Sequence, residues 1–542
     1  MHTKTVALIN PPGWTLATGA PHLGLPLLAH PLRQRGHAVF LADWNVELAR
    51  LFGARISEQD ARAVFDLDYK PSMHEPYFDA QQALINGLGG DTTASWDPQM
   101  GYADAKYDAS NPADIRKALS IRSPLDASLN RLAEHLLSEC RPDLIGLSLS
   151  VQGQVLPSFY AARALRRCGF TGPIVLGGNI VTRLGSAMAE EWVFDYFDAL
   201  VVLQGELVLP ELCLASKRAE WARIPNLLWK DAGTIRANRS EVLSPQEFGP
   251  PDFRGLPLKD YWGAQFLTAV GSRGCYYGKC SFCSIPYAWG NGGFLGNDTP
   301  SAIVSQFETG IARHGVHRYK FVDEALHPGL LSYVSDRVLA SGLDVEFEGY
   351  ARLDQSWLTP GLLRRFARAG LKKLYIGLEI AASNSRELLR KADHADPATF
   401  LTALSDHGIS AHVFCMFGFP GTGDAEAIAT LDFAFKHQRA IDTLDVLPFY
   451  YAKHTVVPGV TVLPDPGREW ALTQKYLPSS PGALSMEESD ELARVMESYV
   501  WRQYPRWVQP LYRLASPWTP LSGGTPLSTA ERERPLLCGT SS

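Results

Sequence analysis

Three cysteines, Cys275, Cys280 and Cys283, fall within nine residues of the segment Gly271-Ser272-Arg273-Gly274-Cys275-Tyr276-Tyr277-Gly278-Lys279-Cys280-Ser281-Phe282-Cys283. Three thiolates in one loop suit three irons of a 4Fe-4S cluster and leave the fourth iron without a protein ligand, open to bind and transform a substrate. Gly271, Gly274 and Gly278 let the loop wrap a cluster and bring backbone amides to its sulfides. The competing reading is structural zinc, which takes four Cys or His ligands. The trio has no fourth partner at such spacing: His314 and His317 belong to another strand, and Cys415 reads as a core residue. Cys140, Cys168, Cys213, Cys415 and Cys538 are scattered, as expected of a chain in reducing surroundings. That leaves sulfur for one cluster and none for an auxiliary one.

The elements that must hold this loop read as two α/β series. In the first, strands are expected at Thr5–Ile9, Ala38–Ala42, Leu144–Leu149, Ile174–Leu176, Ala199–Leu203 and Leu227–Trp229. Helices are expected near Leu23–Arg35, Pro157–Arg167 and Leu209–Ser216. This predicts a doubly wound Rossmann-like domain over 1–230, interrupted by an aperiodic insertion at 53–125. Residues 231–260, with Pro245, Pro250, Pro251 and Pro257, read as an extended linker. In the second series, strands at Phe266–Val270, Arg318–Val322, Val345–Glu348, Lys373–Gly377, Ser410–Phe417 and Thr443–Phe449 alternate with helices, which predicts a partial (β/α)6 barrel over 261–450. A mainly helical cap is expected at 451–515, with the helix Met486–Arg502, and a disordered tail at 516–542. The insertion and the cap, with Tyr450, Tyr451, Trp470, Trp501 and Trp507, are expected to close the barrel mouth.

The chain has 542 residues, 46% hydrophobic and 20% charged, with a net charge of −6. This excludes a mostly disordered protein and gives no overall footprint for nucleic acid or an anionic membrane. No apolar run approaches the roughly 18–20 residues of a membrane span. The expected location is the cytoplasm.

The second series resembles the radical S-adenosylmethionine (SAM) superfamily, and the whole chain resembles its cobalamin-binding branch. The match is carried by the trio, by Phe282 directly before its last cysteine, and by motifs at successive strand ends. These are Phe321-Val322-Asp323-Glu324, Glu348-Gly349-Tyr350-Ala351-Arg352, Leu374-Tyr375-Ile376-Gly377-Leu378-Glu379 with Leu388-Leu389-Arg390-Lys391 after it, and Phe414-Cys415-Met416-Phe417-Gly418-Phe419-Pro420-Gly421. One departure stands out: four residues separate Cys275 from Cys280, where the commonest superfamily motif has three. The resemblance implies that Cys275, Cys280 and Cys283 ligate the cluster, and that Phe282, Asp323, Glu324, Arg352, Gly377, Glu379, Lys391, Gly418 and Pro420 lie on the SAM side.

In the first half, Asn10-Pro11-Pro12-Gly13, Pro21-His22-Leu23-Gly24, Gly177-Gly178-Asn179 and Gln204-Gly205-Glu206 resemble turns of cobalamin-binding domains. Asn10, Pro11, Ser148, Ser150, Gly177, Gly178, Asn179, Gly205 and Glu206 are the implied cobalamin contacts. Asp-x-His-x-x-Gly is absent after the first strand, which implies a corrin without a protein histidine on cobalt. The implied activity is a cobalamin-dependent C-methyltransferase acting on an unactivated carbon of a small metabolite, with a peptide substrate not excluded and an external electron donor such as flavodoxin or ferredoxin. The alternatives are a non-methylating rearrangement or ring contraction on the same architecture, and a non-enzymatic cobalamin or metal sensor.

Overall fold

The computed structural model describes the chain apart from residues 1–2, 14–20, 58, 61–74, 90–92, 98–100, 243–248, 263–265, 291–294, 297–299, 383–384, 392–394, 478–482, 505–506 and 508–542. The expected tail at 516–542 lies outside the described residues.

Two sheets organise the molecule. The first contains β1 (Thr5–Asn10), β2 (Ala38–Asp43), β3 (Leu144–Ser148), β4 (Ile174–Gly177), β5 (Ala199–Val201), β6 (Leu227–Asp231) and β7 (Thr234–Ala237), in the order β2-β1-β3-β4-β5-β6-β7. The first five strands are parallel. They are nearly continuous apolar runs, as strands covered on both faces must be. The sheet is mixed rather than purely doubly wound, because β6 returns antiparallel to β5 and β7 antiparallel to β6. The turn between them, Ala232-Gly233, has φ of 47° and 84°, the two positive values of a tight hairpin. The expected linker at 231–260 therefore begins inside the sheet.

The second sheet contains β8 (Leu267–Ala269), β9 (Arg318–Phe321), β10 (Glu346–Ala351), β11 (Leu371–Glu379), β12 (Ser410–Phe417) and β13 (Thr443–Pro448), paired in sequence order and all parallel. This is the expected six-stranded partial barrel. Even residues such as Leu374 and Ile376 on β11 point to the helical layer. Odd ones such as Lys373, Tyr375, Gly377 and Glu379 point inward with Lys320, Glu348, His412 and Asp445.

Of the two regions expected to close the barrel, the C-terminal one does so in part, with Tyr451, Val457 and Tyr476 packed on Phe282, Ile380 and Phe419 at the cysteine-loop end, whereas the described part of the insertion packs on the first domain. Leu84, Leu88, Trp96, Tyr102 and Ile115 of the insertion are buried in the core of the first domain. Trp470 joins that core, stacking on Trp192 at 5.6 Å and Phe159 at 6.2 Å. The helix Met486–Gln503 packs against β13 and β12, and Trp507 stacks on Phe435. The preceding segment is not helical but holds an antiparallel pair, Thr461–Val462 with Tyr476–Leu477. Trp507, Trp470 and Tyr451 are core residues for the same reason: large aromatic surfaces gain most by leaving water. Among the described residues no helix is long and apolar enough to cross a membrane.

Candidate active site

The cysteine loop leaves the C-terminal end of β8 and is held at its base by Asp323. This carboxylate, fully buried, accepts from the Gly271 amide at 2.9 Å and from the Ser272 hydroxyl at 2.6 Å. Burial raises its pKa to about 6. Asp323 is thus spent on holding the loop, whereas its neighbour Glu324 faces a cavity. Burial also raises the pKa of Glu324, and the Arg183 charge opposes the shift.

The three thiols are half-buried and near enough to act on one another electrostatically. Burial pushes Cys283 up to about 12 and raises Cys280, while Lys391 and Arg352 pull Cys280 back. Among the described residues no three His, Cys, Asp or Glu side chains converge on one metal-ion position. Three thiols in one loop, with positive φ at Gly274 and Gly278, fit a cluster whose irons each take one cysteine.

Around the loop the ends of β10, β11 and β12 gather most of the expected SAM-side residues. Glu379 has a φ of 63° at a register irregularity in β11, and its carboxylate meets Lys391 Nζ at 2.7 Å. Lys391 also donates to the Gly377 carbonyl at 3.0 Å and lies 5.6 Å from the centre of the Phe282 ring. A Cβ at Gly377 would lie 2.5 Å from Glu379 Oε1 and 3.0 Å from Lys391 Nζ, so a side chain there would displace this ion pair. Phe282 meets Phe419 edge-on at 6.5 Å. Gly418, with φ 72°, packs directly against Ser489, and Pro420 is buried in the turn beyond. Arg352 lies between Tyr276 and Tyr277, paired with Asp354.

A cavity of about 580 Å³ opens between the carboxyl ends of the first sheet and the cysteine loop. Ser148, Ser150, Gly177, Gly178, Asn179, Gly205 and Glu206 line it from one half; Arg273, Trp289, Val322 and Glu324 line it from the other. A Cβ at Gly178 (φ 111°) would collide with the Leu149 carbonyl, and one at Gly205 would sit 2.8 Å from Leu28. At Gly178 the wall is bare backbone because only glycine fits. Asn10 and Pro11 do not line the cavity. The Asn10 side chain donates to Asp43 at 3.1 Å and accepts from Gln154 at 2.9 Å, and the Pro11 carbonyl accepts from Asn45 and Gln154. These residues brace the sheet beneath. Glu206, on the same wall, is held in a buried ion pair with Arg273.

His22 is on the cavity wall, but its imidazole serves the wall. Nε2 is 2.9 Å from Ser150 Oγ, and a Cβ at Gly24 would lie 3.2 Å from Nδ1. Burial lowers its pKa to about 4, so the ring is neutral. The glycine-lined wall fits a broad macrocycle.

Sequence reasoning missed Arg183, Arg273, Trp289 and Asp354. Arg183, from the helix Asn179–Leu184, bonds to Ser284 beside Cys283 and is held by Asn179 at 3.0 Å. Arg273 crosses to Glu206 and lies over Trp289 at 5.8 Å. Only Arg273 and Asp354 carried a signal: one sits inside the cysteine segment, the other two residues after Arg352.

Residues 270–434 match the family model of the radical SAM superfamily. The 4′-phospho-dehydrooxetanocin synthase of Priestia megaterium is 26% identical over 179 residues, 31% of this chain and 23% of that relative, so the match spans about a quarter of the relative's length. Among solved structures, the fold is similar to the radical SAM methyltransferase TsrM from Kitasatospora setae, described with cobalamin and a 4Fe-4S cluster bound. The TM-score is 0.59 at 16% identity, covering 95% of this chain and 92% of that one. It is also similar to the cobalamin-dependent radical SAM enzyme OxsB with aqua-cobalamin and SAM bound (TM-score 0.54, 17% identity, 80% of this chain and 52% of that one). At these identities the likeness establishes a shared fold.

Proposed function

With residues 270–434 belonging to the radical SAM superfamily, we propose that this chain is a cobalamin-dependent radical SAM enzyme that methylates an unactivated carbon of a small natural-product or other metabolite. The observation that carries the reading is the single cavity walled by glycines of the first sheet on one side and by the cysteine loop's own flank on the other. A fold that placed its two ligand sites apart would have no such shared wall. Bound together, the cluster, SAM and cobalamin supply one-electron cleavage of SAM and a transferable methyl group.

The chain's own residues do the rest. Cys275, Cys280 and Cys283 hold the cluster. The Glu379–Lys391 pair and Gly377 shape the surface beside Cys280 on which SAM is expected to lie. Ser148, Asn179 and Gly178 border the corrin-sized wall, and the Arg273–Glu206 pair closes its far edge against water. Glu324 faces the space between the two cofactor sites. On the inward face of the barrel Glu348 accepts from Tyr375 and pairs with Lys320, and His412 bonds to Thr443, a polar interior that keeps these side chains fixed beneath the site. A peptide side chain is the alternative to a free metabolite as substrate. Electrons come from an external donor of the flavodoxin or ferredoxin kind.

A non-methylating rearrangement is the second reading, favoured by the match of 179 residues to a relative named as a synthase. One experiment separates these readings: anaerobic reconstitution with iron and sulfide, with and without cobalamin, followed by reduction in the presence of SAM and candidate acceptors. Methylation predicts S-adenosylhomocysteine and 5′-deoxyadenosine together; rearrangement predicts 5′-deoxyadenosine alone. A sensor predicts neither. Undiminished 5′-deoxyadenosine from Cys280→Ala would overturn the assignment of the trio.

A further inference from the structure

We propose that Arg352 is a positioning residue for the Cys275–Cys280 loop: through Tyr276, Tyr277 and Asp354 it fixes the loop's extra residue, and its charge sets the reduction potential of the bound cluster. The inference rests on the cysteine trio being cluster ligands.

Four residues lie between Cys275 and Cys280, and every added loop residue adds conformers that must be frozen for three sulfurs to face one cluster. The structure shows what freezes them. Tyr276 donates its hydroxyl to the Asp354 carboxylate, and its ring meets His327 edge-on at 4.9 Å. Tyr277 donates its hydroxyl to the Arg390 carbonyl at 2.5 Å. The Arg352 guanidinium is centred 3.6 Å from the Tyr277 ring and 5.6 Å from the Tyr276 ring, while Nη1 reaches the Asp354 carboxylate at 3.3 Å. The circuit is closed: Asp354 holds Tyr276 and Arg352, and Arg352 lies over both tyrosines. Gly278, with φ 62°, then turns the chain toward Cys280.

The same guanidinium is 10% exposed and lies against Tyr276 and Tyr277, the two residues that follow Cys275 in the loop. An arginine keeps its charge at every working pH. Adding an electron makes a cluster more negative, so a fixed cation in this half-dry site favours the reduced state and raises the midpoint potential. Planarity matters as well, since a lysine keeps the charge but cannot lie flat on a ring while bonding a carboxylate sideways.

The test uses the full-length chain, reconstituted anaerobically, with iron and sulfide content, electron paramagnetic resonance and redox titration as readouts. Arg352→Gln is expected to hold its cluster at a midpoint potential more negative than wild type, and Arg352→Lys to recover most of that shift. Tyr277→Leu is expected to lose iron to a ferrous chelator about tenfold faster than wild type, the factor that roughly 1.4 kcal/mol corresponds to. Equal midpoint potentials in wild type, Arg352→Gln and Arg352→Lys overturn the proposal. Should Arg352→Gln hold no cluster, Tyr277→Leu decides: faster iron loss supports the clamp, and a wild-type rate overturns it. A wild-type chain that assembles no 4Fe-4S cluster refutes the underlying reading instead, so the two failures are distinct.

Discussion

Lys391 answers two carbonyl-side demands at once, the Glu379 carboxylate at 2.7 Å and the Gly377 carbonyl at 3.0 Å, with both charged side chains mostly buried. Removing one partner of such a pair strands the other charge, which costs about 3–5 kcal/mol. Lys391→Met is therefore expected to lower folding stability by about that amount. The double variant Lys391→Met with Glu379→Gln should recover much of the loss, as read by denaturant unfolding. Two equally destabilised proteins would show that the pair is not coupled. Gly178 is a second single-residue dependence. At φ 111°, with the Leu149 carbonyl where a Cβ would go, Gly178→Ala must move the backbone of the cavity wall. Cobalamin binding, followed by its visible spectrum, is expected to fall at least about tenfold, the effect of roughly 1.4 kcal/mol. Unchanged affinity would place the macrocycle away from this wall. The residues written into strand ends were legible from sequence because parallel strands deliver their last residues to one edge. Arg183 was not, since its meaning lies in Ser284, a hundred-odd residues away in another domain.

At the scale of elements, the barrel was legible strand by strand, because β9 to β12 are apolar on the face toward the helices and each is followed by a helix before the next strand. The hairpin of β6 and β7 was not: Thr234–Ala237 is exposed throughout, so no burial pattern marks it. The insertion read as aperiodic because its buried residues, such as Trp96 and Ile115, are supplied by separate short elements. The helix expected at Met486–Arg502 is found at Met486–Gln503, opened by a capping box of Ser485 with Glu488, but its packing on β13 is tertiary. That packing buries Glu497 near Asp445 and raises its pKa from 4.5 to about 8, by burial first and the Asp445 charge second. A carboxyl with a raised folded pKa keeps a proton that the unfolded chain has released. Stability therefore falls as pH climbs from about 4.5 to about 8 and levels off above. Glu497→Gln is expected to melt higher than wild type at pH 8–9 and to match it near pH 4.5. A difference that is constant across this range would mean that Glu497 titrates normally.

At the scale of the molecule, the two sheets do not behave as beads on a linker. One continuous core runs from Val6, Leu8 and Leu25 of the first domain through Phe253 and Leu256 to Leu267, Phe307 and Phe347 of the barrel. On the opposite flank Trp470, from beyond the barrel, is buried among first-domain aromatics and donates to the Ala187 carbonyl at 3.0 Å. Between these seams lies the cavity, crossed by Arg273–Glu206 and Arg183–Ser284. Joined along a core, the halves should unfold together, and a ligand held by both walls should stabilise both. Cobalamin in hundredfold excess over its dissociation constant adds about 2.7 kcal/mol to a single-site folded state. Differential scanning calorimetry of the apo chain is expected to give one cooperative transition, which cobalamin moves upward as a unit. In Arg273→Met the buried Glu206 loses its partner and the cavity its bridging wall, so both the melting temperature and the cobalamin-induced shift should fall. If instead a first-domain transition moved alone while a barrel transition stayed fixed, the ligand would be held by one wall only, and the shared cavity would not be what brings the corrin and the cysteine loop together.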